Sequence, residues 1–122
     1  MAVTNTLLVA LTGATLFTDT DLAATVQSIK GSSGTIYAID IDNTANAAKT
    51  FVKLWNVASG SVTVGTTAPD LIIPVPASTR SVIQIPAGLL FDTAISAAAV
   101  TTAGTAGTTG PTSDVIARVV YV

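Results

Sequence analysis

Hydrophobic residues occur along this chain in short runs, and glycine or proline interrupts them at near-regular intervals. Between residues 51 and 92, four apolar runs are separated by turn-forming residues, among them Gly65, Pro69 and Pro76. Apolar runs of this length, bounded by turn residues and rich in Val, Ile and Thr, are typical of β-strands. The pattern predicts about eight strands joined mostly by short turns.

The segment that ends at Lys30 has two possible interpretations. Leu22, Val26 and Ile29 are spaced as on one face of a helix. The polar, glycine-containing residues 31–34 that follow are instead typical of a hairpin loop. We favour the hairpin, in which this segment pairs with the next strand.

That next strand, over residues 35–42, alternates between apolar and polar positions. Tyr37, Ile39 and Ile41 are expected on one face, with Asp40 and Asp42 on the other. The sequence therefore predicts a half-buried strand with a solvated carboxylate face.

Other segments carry signals about their place in the sheets. The strand over 50–57 is apolar on both faces, which predicts a central strand covered on both sides. Pro74 cannot donate to a strand ladder, so its strand is expected at an edge or a bulge. Residues 86–88 are expected to form a turn, and residues 102–113, rich in Gly, Thr and Ala, an exposed loop.

These elements predict an all-β fold, an antiparallel two-sheet sandwich that is jelly-roll-like and has an extended N-terminal arm. The expected organisation is an arm over residues 1–20 and a single β-sandwich domain over residues 21–122. The arm is expected either to add a strand to its own sheet or to lie on a neighbouring subunit. The candidate inter-subunit contacts are its large apolar residues: Leu7, Leu8, Val9, Leu11, Leu16 and Phe17.

The low charge bears on the partners of the protein. Only 10% of residues are charged, against about 25% in an ordinary soluble domain, and the net charge is −2. We interpret this as a chain that buries surface in an assembly, although a threonine-rich sandwich could also be solvated by its hydroxyls. The five positive charges are scattered along the chain, so no nucleic-acid partner is expected.

The N-terminal sequence predicts no membrane segment and no secretory leader. The first basic residue is Lys30, and the apolar run near the N-terminus is far shorter than the roughly 20 residues of a spanning helix. The protein is therefore expected to be made in a cytoplasm and kept there or released by lysis.

The residue types argue against an enzyme. The chain has no His, no Cys and no Glu, which excludes catalytic triads based on His or Cys and His-based zinc sites. The segment from Asp40 to Asp42 resembles the opening of a calcium loop, but Ala45 and Phe51 stand where that loop needs Gly and Glu. No catalytic residue, cofactor or metal site is predicted.

Two residues of the strand over 50–57 have competing interpretations. Trp55 could form a sugar-stacking platform, but a lone Trp on a strand that is apolar on both faces is more often part of the core. Lys53 needs a polar partner for its ammonium group, and we expect a contact with Asp40 or Asp42.

Several segments together resemble small structural proteins of tailed bacteriophages, most closely capsid decoration (cement) proteins. The resemblance covers roughly residues 30–122 and rests on residues 42–46, 51–56, 64–69, 73–76, 86–88 and Phe91. It implies a β-rich protein that binds the outside of icosahedral heads, commonly as a homotrimer, with the major capsid protein as its partner. It implies no catalytic residues.

The preferred functional hypothesis is therefore a bacteriophage virion structural protein. It would be a capsid decoration protein, made in the host cytoplasm and located on the outer capsid surface, that stabilises the head by bridging major capsid proteins. The alternative is a tail, baseplate or fibre module, or a carbohydrate-binding β-sandwich for host attachment.

Overall fold

The computed structural model describes residues 13–122, which form eight β-strands, one 3₁₀ turn at Ser59–Ser61 and no α-helix. No helix in this part of the chain could therefore cross a bilayer. The strands are β1 (Thr15–Asp19), β2 (Gln27–Lys30), β3 (Gly34–Asp42), β4 (Thr50–Trp55), β5 (Leu71–Val75), β6 (Arg80–Phe91), β7 (Ile95–Val100) and β8 (Ile116–Tyr121).

The strands form two four-stranded sheets, and all neighbours are antiparallel. Sheet A has the order β1-β8-β3-β6, and sheet B has the order β2-β7-β4-β5. The first strand therefore pairs with the last, the second with the seventh, the third with the sixth and the fourth with the fifth. This is a long antiparallel ribbon rolled into two layers, which is a jelly roll. The predicted all-β two-sheet sandwich is confirmed.

The core lies between the two sheets and is built by the alternation of side chains along each strand. Ile36, Ile39 and Ile41 of β3 are buried against Val52 and Leu54 of β4 and the other inward residues. Burial of one such aliphatic side chain contributes roughly 1.5–3 kcal/mol relative to its exposure. The central position of β4 is confirmed, because it lies between β7 and β5 and is buried on both faces.

The predicted hairpin between β2 and β3 is wrong. β2 pairs with β7 in sheet B, whereas β3 lies between β8 and β6 in sheet A. The loop between them therefore crosses from one sheet to the other. At its end, a Cβ on Gly34 would lie 3.1 Å from the Ile95 side chain and 3.1 Å from the Val122 carbonyl oxygen, so a residue without a side chain suits this crossing.

The predicted turn at residues 86–88 is also wrong, because these residues form a bulge within the continuous strand β6. The register moves from Ile36 opposite Leu89 to Ala38 opposite Gln84, so β6 holds extra residues at this point. Gly88 has a φ of 79°, which side chains rarely adopt. β6 pairs with β3 both before and after the bulge, so the direction of the chain does not reverse at these residues.

The pairing of β3 is irregular at the same point, and this changes which residue at the beginning of β3 faces the core. Ile36 is fully buried, while Tyr37 is only half-buried beside Gly88. The predicted face of Tyr37, Ile39 and Ile41 is thus correct for the two isoleucines, and Ile36 takes the place expected for Tyr37. Between Ile36 and Ala38, β3 has one residue more than its other neighbour β8, and this extra residue shifts the alternation of side chains by one.

Two buried asparagines fix the loop after β3. The Asn43 side-chain amide donates to the carbonyls of Pro76 at 3.0 Å and Ala48 at 3.1 Å, and its oxygen accepts from Thr50 Oγ1 at 2.9 Å. Asn46 Nδ2 donates to the Ser113 carbonyl at 3.1 Å, and Asn46 Oδ1 accepts from the Ser113 N–H at 2.9 Å. These residues therefore satisfy backbone groups of three separate segments.

Part of the predicted N-terminal arm belongs to the sandwich. Strand β1 pairs along its length with β8 of the same chain, and Phe17 packs against the core. Leu16 lies on the other face of this strand and is 59% exposed. The remaining arm candidates lie outside the described residues: Leu7, Leu8, Val9 and Leu11.

Candidate interaction surface

The outer faces of the two sheets differ, because loops of the same chain cover the outer face of sheet B. Val52 and Leu54 point into the core, so Lys53 and Trp55 point away from it. Both are nevertheless buried, with exposed fractions of 0% and 1%. The Trp55 indole N–H donates to the Thr67 carbonyl at 3.0 Å, which holds the loop after β4 over this face.

Lys53 binds the second covering loop, between β7 and β8. Its Nζ donates to the Gly107 carbonyl at 3.0 Å and to the Thr105 carbonyl at 3.3 Å. Desolvation by burial lowers the pKa of Lys53. The predicted contact with Asp40 or Asp42 is wrong, because those residues lie on sheet A and the ammonium finds backbone carbonyls instead.

The two covering loops also contact each other. Gly65 has a φ of 92°, and a Cβ at this position would overlap the methyl group of Thr108. The prediction that Trp55 is buried rather than exposed as a stacking platform is confirmed, although it lies under the covering loops and not between the two sheets. The loop predicted over 102–113 is largely exposed, but its residue Gly107 is buried over Lys53.

The outer face of sheet A is exposed. Across this sheet Leu16 lies opposite Val120, Val120 opposite Ala38, and Ala38 opposite Gln84. Residues directly opposite each other in an antiparallel pair share a face. We call the outward residues of this sheet the open face: Leu16, Thr18, Thr35, Ala38, Asp40, Asp42, Arg80, Val82, Gln84, Leu90, Ile116, Arg118, Val120 and Val122.

The large hydrophobic residues that are exposed in the described chain all lie on the open face. Their exposed fractions are 59% for Leu16, 58% for Val82, 67% for Leu90 and 39% for Val122. Val122 follows β8 and exchanges two backbone hydrogen bonds with Thr35, which places it beside the Leu90 end of β6. The exposed apolar surface is thus concentrated on one side of the sandwich.

A charged cluster lies in the middle of the open face. Arg80 donates two hydrogen bonds to the Asp40 carboxylate, and Arg118 Nη1 lies 3.7 Å from Asp40 Oδ2. The hydrogen bond from Arg80 holds the pKa of Asp40 below its usual value. Arginine is enriched at protein–protein interfaces, where it lies among apolar contacts.

Asp42, the other acid of the predicted carboxylate face, has a local structural role. Its Oδ1 accepts from the Thr44 N–H at 3.0 Å and from the Thr44 hydroxyl, and these bonds lower the pKa of Asp42. Residues 13–122 contain no group of three or more acidic, His or Cys side chains placed to hold a metal ion.

The edges of the sheets also differ. Pro74 lies on edge strand β5, which confirms its predicted position, and Pro86 with a bulge lies on edge strand β6. Edge strand β2 has a register shift and ends at Lys30. Proline, lysine and bulges at an edge discourage pairing with other chains, and β1 contains none of the three. Among the described edge strands, β1 alone lacks these protective features, and it borders the open face.

Of the predicted contact residues, the structure places Leu16 on the open face and Phe17 against the core. The sequence analysis missed Val82, Leu90 and Arg80. The sequence of β6 could have indicated them, because apolar residues occupy both even and odd positions between residues 80 and 91. This pattern is typical of a strand with apolar residues on both faces.

Comparison with known proteins assigns no family to this chain. No protein-family model, no curated protein and no solved structure matches the chain.

Proposed function

We propose that this protein is a structural component of a bacteriophage virion, a capsid decoration protein that binds major capsid proteins through the open face. The observation that carries this proposal is the asymmetry of the sandwich. Its own loops cover the outer face of sheet B, whereas the exposed large hydrophobic residues gather on the outer face of sheet A. Large apolar residues exposed on one face are a feature of surfaces that bind other proteins.

The mechanism in this proposal is passive. Burial of Leu16, Val82 and Leu90 against the capsid removes apolar surface from water, and the Arg80–Asp40–Arg118 cluster sets the register of the contact. No step requires an acid, a base or a nucleophile, in keeping with a chain that has no His, Cys or Glu. The jelly roll is a fold used by many viral capsid proteins, and this supports the proposal by analogy only.

We further propose that three copies associate on the outer capsid surface. A weak contact repeated in a trimer gains affinity through multivalency, because binding of the second and third copies becomes intramolecular. The apolar residues of the arm, from Leu7 to Leu11, are the candidates for contacts between subunits. Light scattering after size exclusion, over a hundredfold dilution range, tests the trimer; a monomer at every concentration would contradict a preformed trimer.

The arm is best tested by a truncation that respects the fold. Strand β1 begins at Thr15, so removal of residues 2–12 leaves every described strand in place. If the arm joins subunits, this truncation lowers the oligomeric state while the circular dichroism spectrum stays that of the full chain. An unchanged oligomer would rule out the arm as the link between subunits.

The role on the capsid is tested by co-sedimentation with heads assembled from the major capsid protein of the same phage. The proposal predicts saturable binding and a higher temperature of head disruption in the presence of the protein. Absence of binding to heads together with binding to purified tails would favour the alternative, a tail, baseplate or fibre module.

A further inference from the structure

A small cleft lies at one end of the sandwich, between the edge strands of the two sheets. It is formed by the residue after β4, the beginning of β5 and the end of β6. Its volume is about 250 Å³, and its walls are Asn56, Asp70, Leu71, Leu89, Leu90 and Phe91. Sites for small organic ligands usually enclose roughly 300–1,000 Å³. The volume of this cleft is therefore better matched to one long side chain than to a free small organic ligand.

One wall of the cleft presents a fixed carboxylate. Asp70 Oδ2 accepts from the Asn56 backbone N–H at 2.6 Å, and the Asp70 backbone N–H donates to the Leu54 carbonyl at 2.9 Å. Both the backbone and the side chain of Asp70 are thus held in place before any partner arrives. A preformed geometry lowers the entropy that binding must remove.

A second carboxylate lies next to this wall, on the other side of Asn56. The Asn56 side-chain amide donates to Asp92 Oδ1 at 2.6 Å, and this bond, with one from Thr93, lowers the pKa of Asp92. Within residues 13–122, the only ion pairs involve Asp40, so neither Asp70 nor Asp92 has a cationic partner there. The polar side of the cleft carries negative charge that this part of the chain leaves uncompensated.

The other residues that line the cleft are apolar and in part exposed. Leu90 has an exposed fraction of 67%, and Leu89 and Leu71 are partly buried against the core. Lysine and arginine place their methylene groups along apolar surface and keep the charged head in a polar environment. A cleft lined by leucines and an aspartate is complementary to both parts of such a side chain.

We propose that this cleft binds the side chain of a lysine or arginine presented by a protein partner. The charged head lies against Asp70, and the methylene groups lie along Leu89 and Leu90. The inference deepens the proposed function, and it rests on that function in one respect, that the partner is a protein. Leu90 belongs both to the cleft and to the open face, so one partner can contact both. A basic partner side chain would provide orientation as well as contact area.

The test is a nuclear magnetic resonance titration of the full chain with three capped amino acids. Nα-acetyl-arginine amide and Nα-acetyl-lysine amide carry the proposed groups, and Nα-acetyl-norleucine amide has a similar apolar stem without charge. The inference predicts saturable shifts at the amides of Asn56, Asp70 and Leu90 with the two basic compounds and not with norleucine. Equal shifts with norleucine, or shifts spread over all surface aspartates, would overturn it.

Two variants and a control make the assignment specific. Asp70→Asn should weaken binding of the arginine compound by about 1.4- to fivefold, the range expected for an exposed ion pair. Leu90→Ser should weaken it as well, and Asp114→Asn, which removes the same charge from an exposed loop position, should leave it unchanged. Equal affinities for Asp70→Asn and the unaltered chain would overturn the proposal. Because no capsid is used, failure of head binding and failure of the cleft are separate results.

Discussion

Arg80 and Asp40 form a two-bond ion pair between the neighbouring strands β6 and β3 of the open face. Arg80 Nε donates to Asp40 Oδ1 at 2.8 Å, and Arg80 Nη2 donates to the second carboxylate oxygen. The Arg80 side chain is 52% exposed and that of Asp40 17%, and Arg118 approaches the same carboxylate. Exposed ion pairs typically contribute no more than about 1 kcal/mol, so the main effect of this cluster is to fix the positions of two arginines on the surface.

The pH dependence of stability provides a test of this pair. The pKa of Asp40 is lower in the folded protein than in the unfolded chain, where an aspartate has a pKa of about 3.9. Below that value the unfolded chain binds more protons than the folded protein, so the stabilisation by the pair is lost as the pH falls through the folded pKa. Urea unfolding between pH 5 and pH 2 should show a smaller loss of stability for Asp40→Asn than for the unaltered chain. Identical losses would contradict the assigned role of Asp40.

Replacement of Lys53 by methionine tests how the loop between β7 and β8 is held over the outer face of sheet B. The substitution keeps the apolar length of the side chain but leaves the Gly107 and Thr105 carbonyls without their donor. We expect a loss of about 1–3 kcal/mol in the free energy of unfolding, the usual penalty for unsatisfied buried polar groups. Hydrogen exchange should accelerate in residues 101–110, and Trp55 fluorescence should shift to longer wavelength. A variant that is as stable as the parent, with an unchanged loop, would show that the covering loop does not depend on Lys53.

Asn43 should be among the most sensitive polar positions of the domain. Its side chain donates to the carbonyls of Ala48 and Pro76 and accepts from the buried Thr50 hydroxyl. We expect Asn43→Ala to lower the free energy of unfolding by at least about 1–3 kcal/mol, because the substitution leaves buried groups unsatisfied. The matched control is Gln84→Ala, which removes an exposed amide from sheet A and should change stability by less than about 0.5 kcal/mol. Equal effects of the two substitutions, measured by chemical denaturation, would contradict this account.

The bulge in β6 can be tested with a pair of glycine substitutions. Gly88 and Gly104 have similar positive φ angles, 79° and 81°, so alanine introduces comparable backbone strain of about 1–2 kcal/mol at each. Only at Gly88 would the new Cβ also collide with neighbours, the side chains of Thr35 and Tyr37. Gly88→Ala should therefore destabilise the protein more than Gly104→Ala. The reverse order in thermal unfolding would show that the bulge is not packed as described.

The local pattern of the sequence predicts most strands but not how they pair. Pro74 cannot donate to a strand ladder, which indicates an edge strand, and β4 is apolar on both faces, which indicates a central strand. Both predictions are confirmed. The partner of β2 lies about 70 residues away in β7, and no nearby residue specifies it. The hairpin prediction failed because a glycine-containing loop permits a turn within one sheet and a crossing between two sheets equally well.

The surface was less predictable than the fold for a related reason. Whether a strand face is covered depends on loops from distant parts of the chain, as with Lys53 under Gly107. The apolar positions of β6 predict a strand but do not say which side faces the core. Leu16 was identified as a contact residue from its place in the arm, whereas the structure places it beside Val120 on the open face.

The measurement that tests the central claim most directly is co-sedimentation of two charge variants with phage heads. Val82→Asp places a carboxylate on strand β6 of the open face, and Ala103→Asp places the same group on an exposed loop between β7 and β8. Both positions are exposed, so neither substitution should unfold the domain. If heads bind the open face, Val82→Asp loses most of its binding and Ala103→Asp binds like the unaltered chain. Full binding of Val82→Asp, with loss only in Ala103→Asp or in neither, would contradict the account.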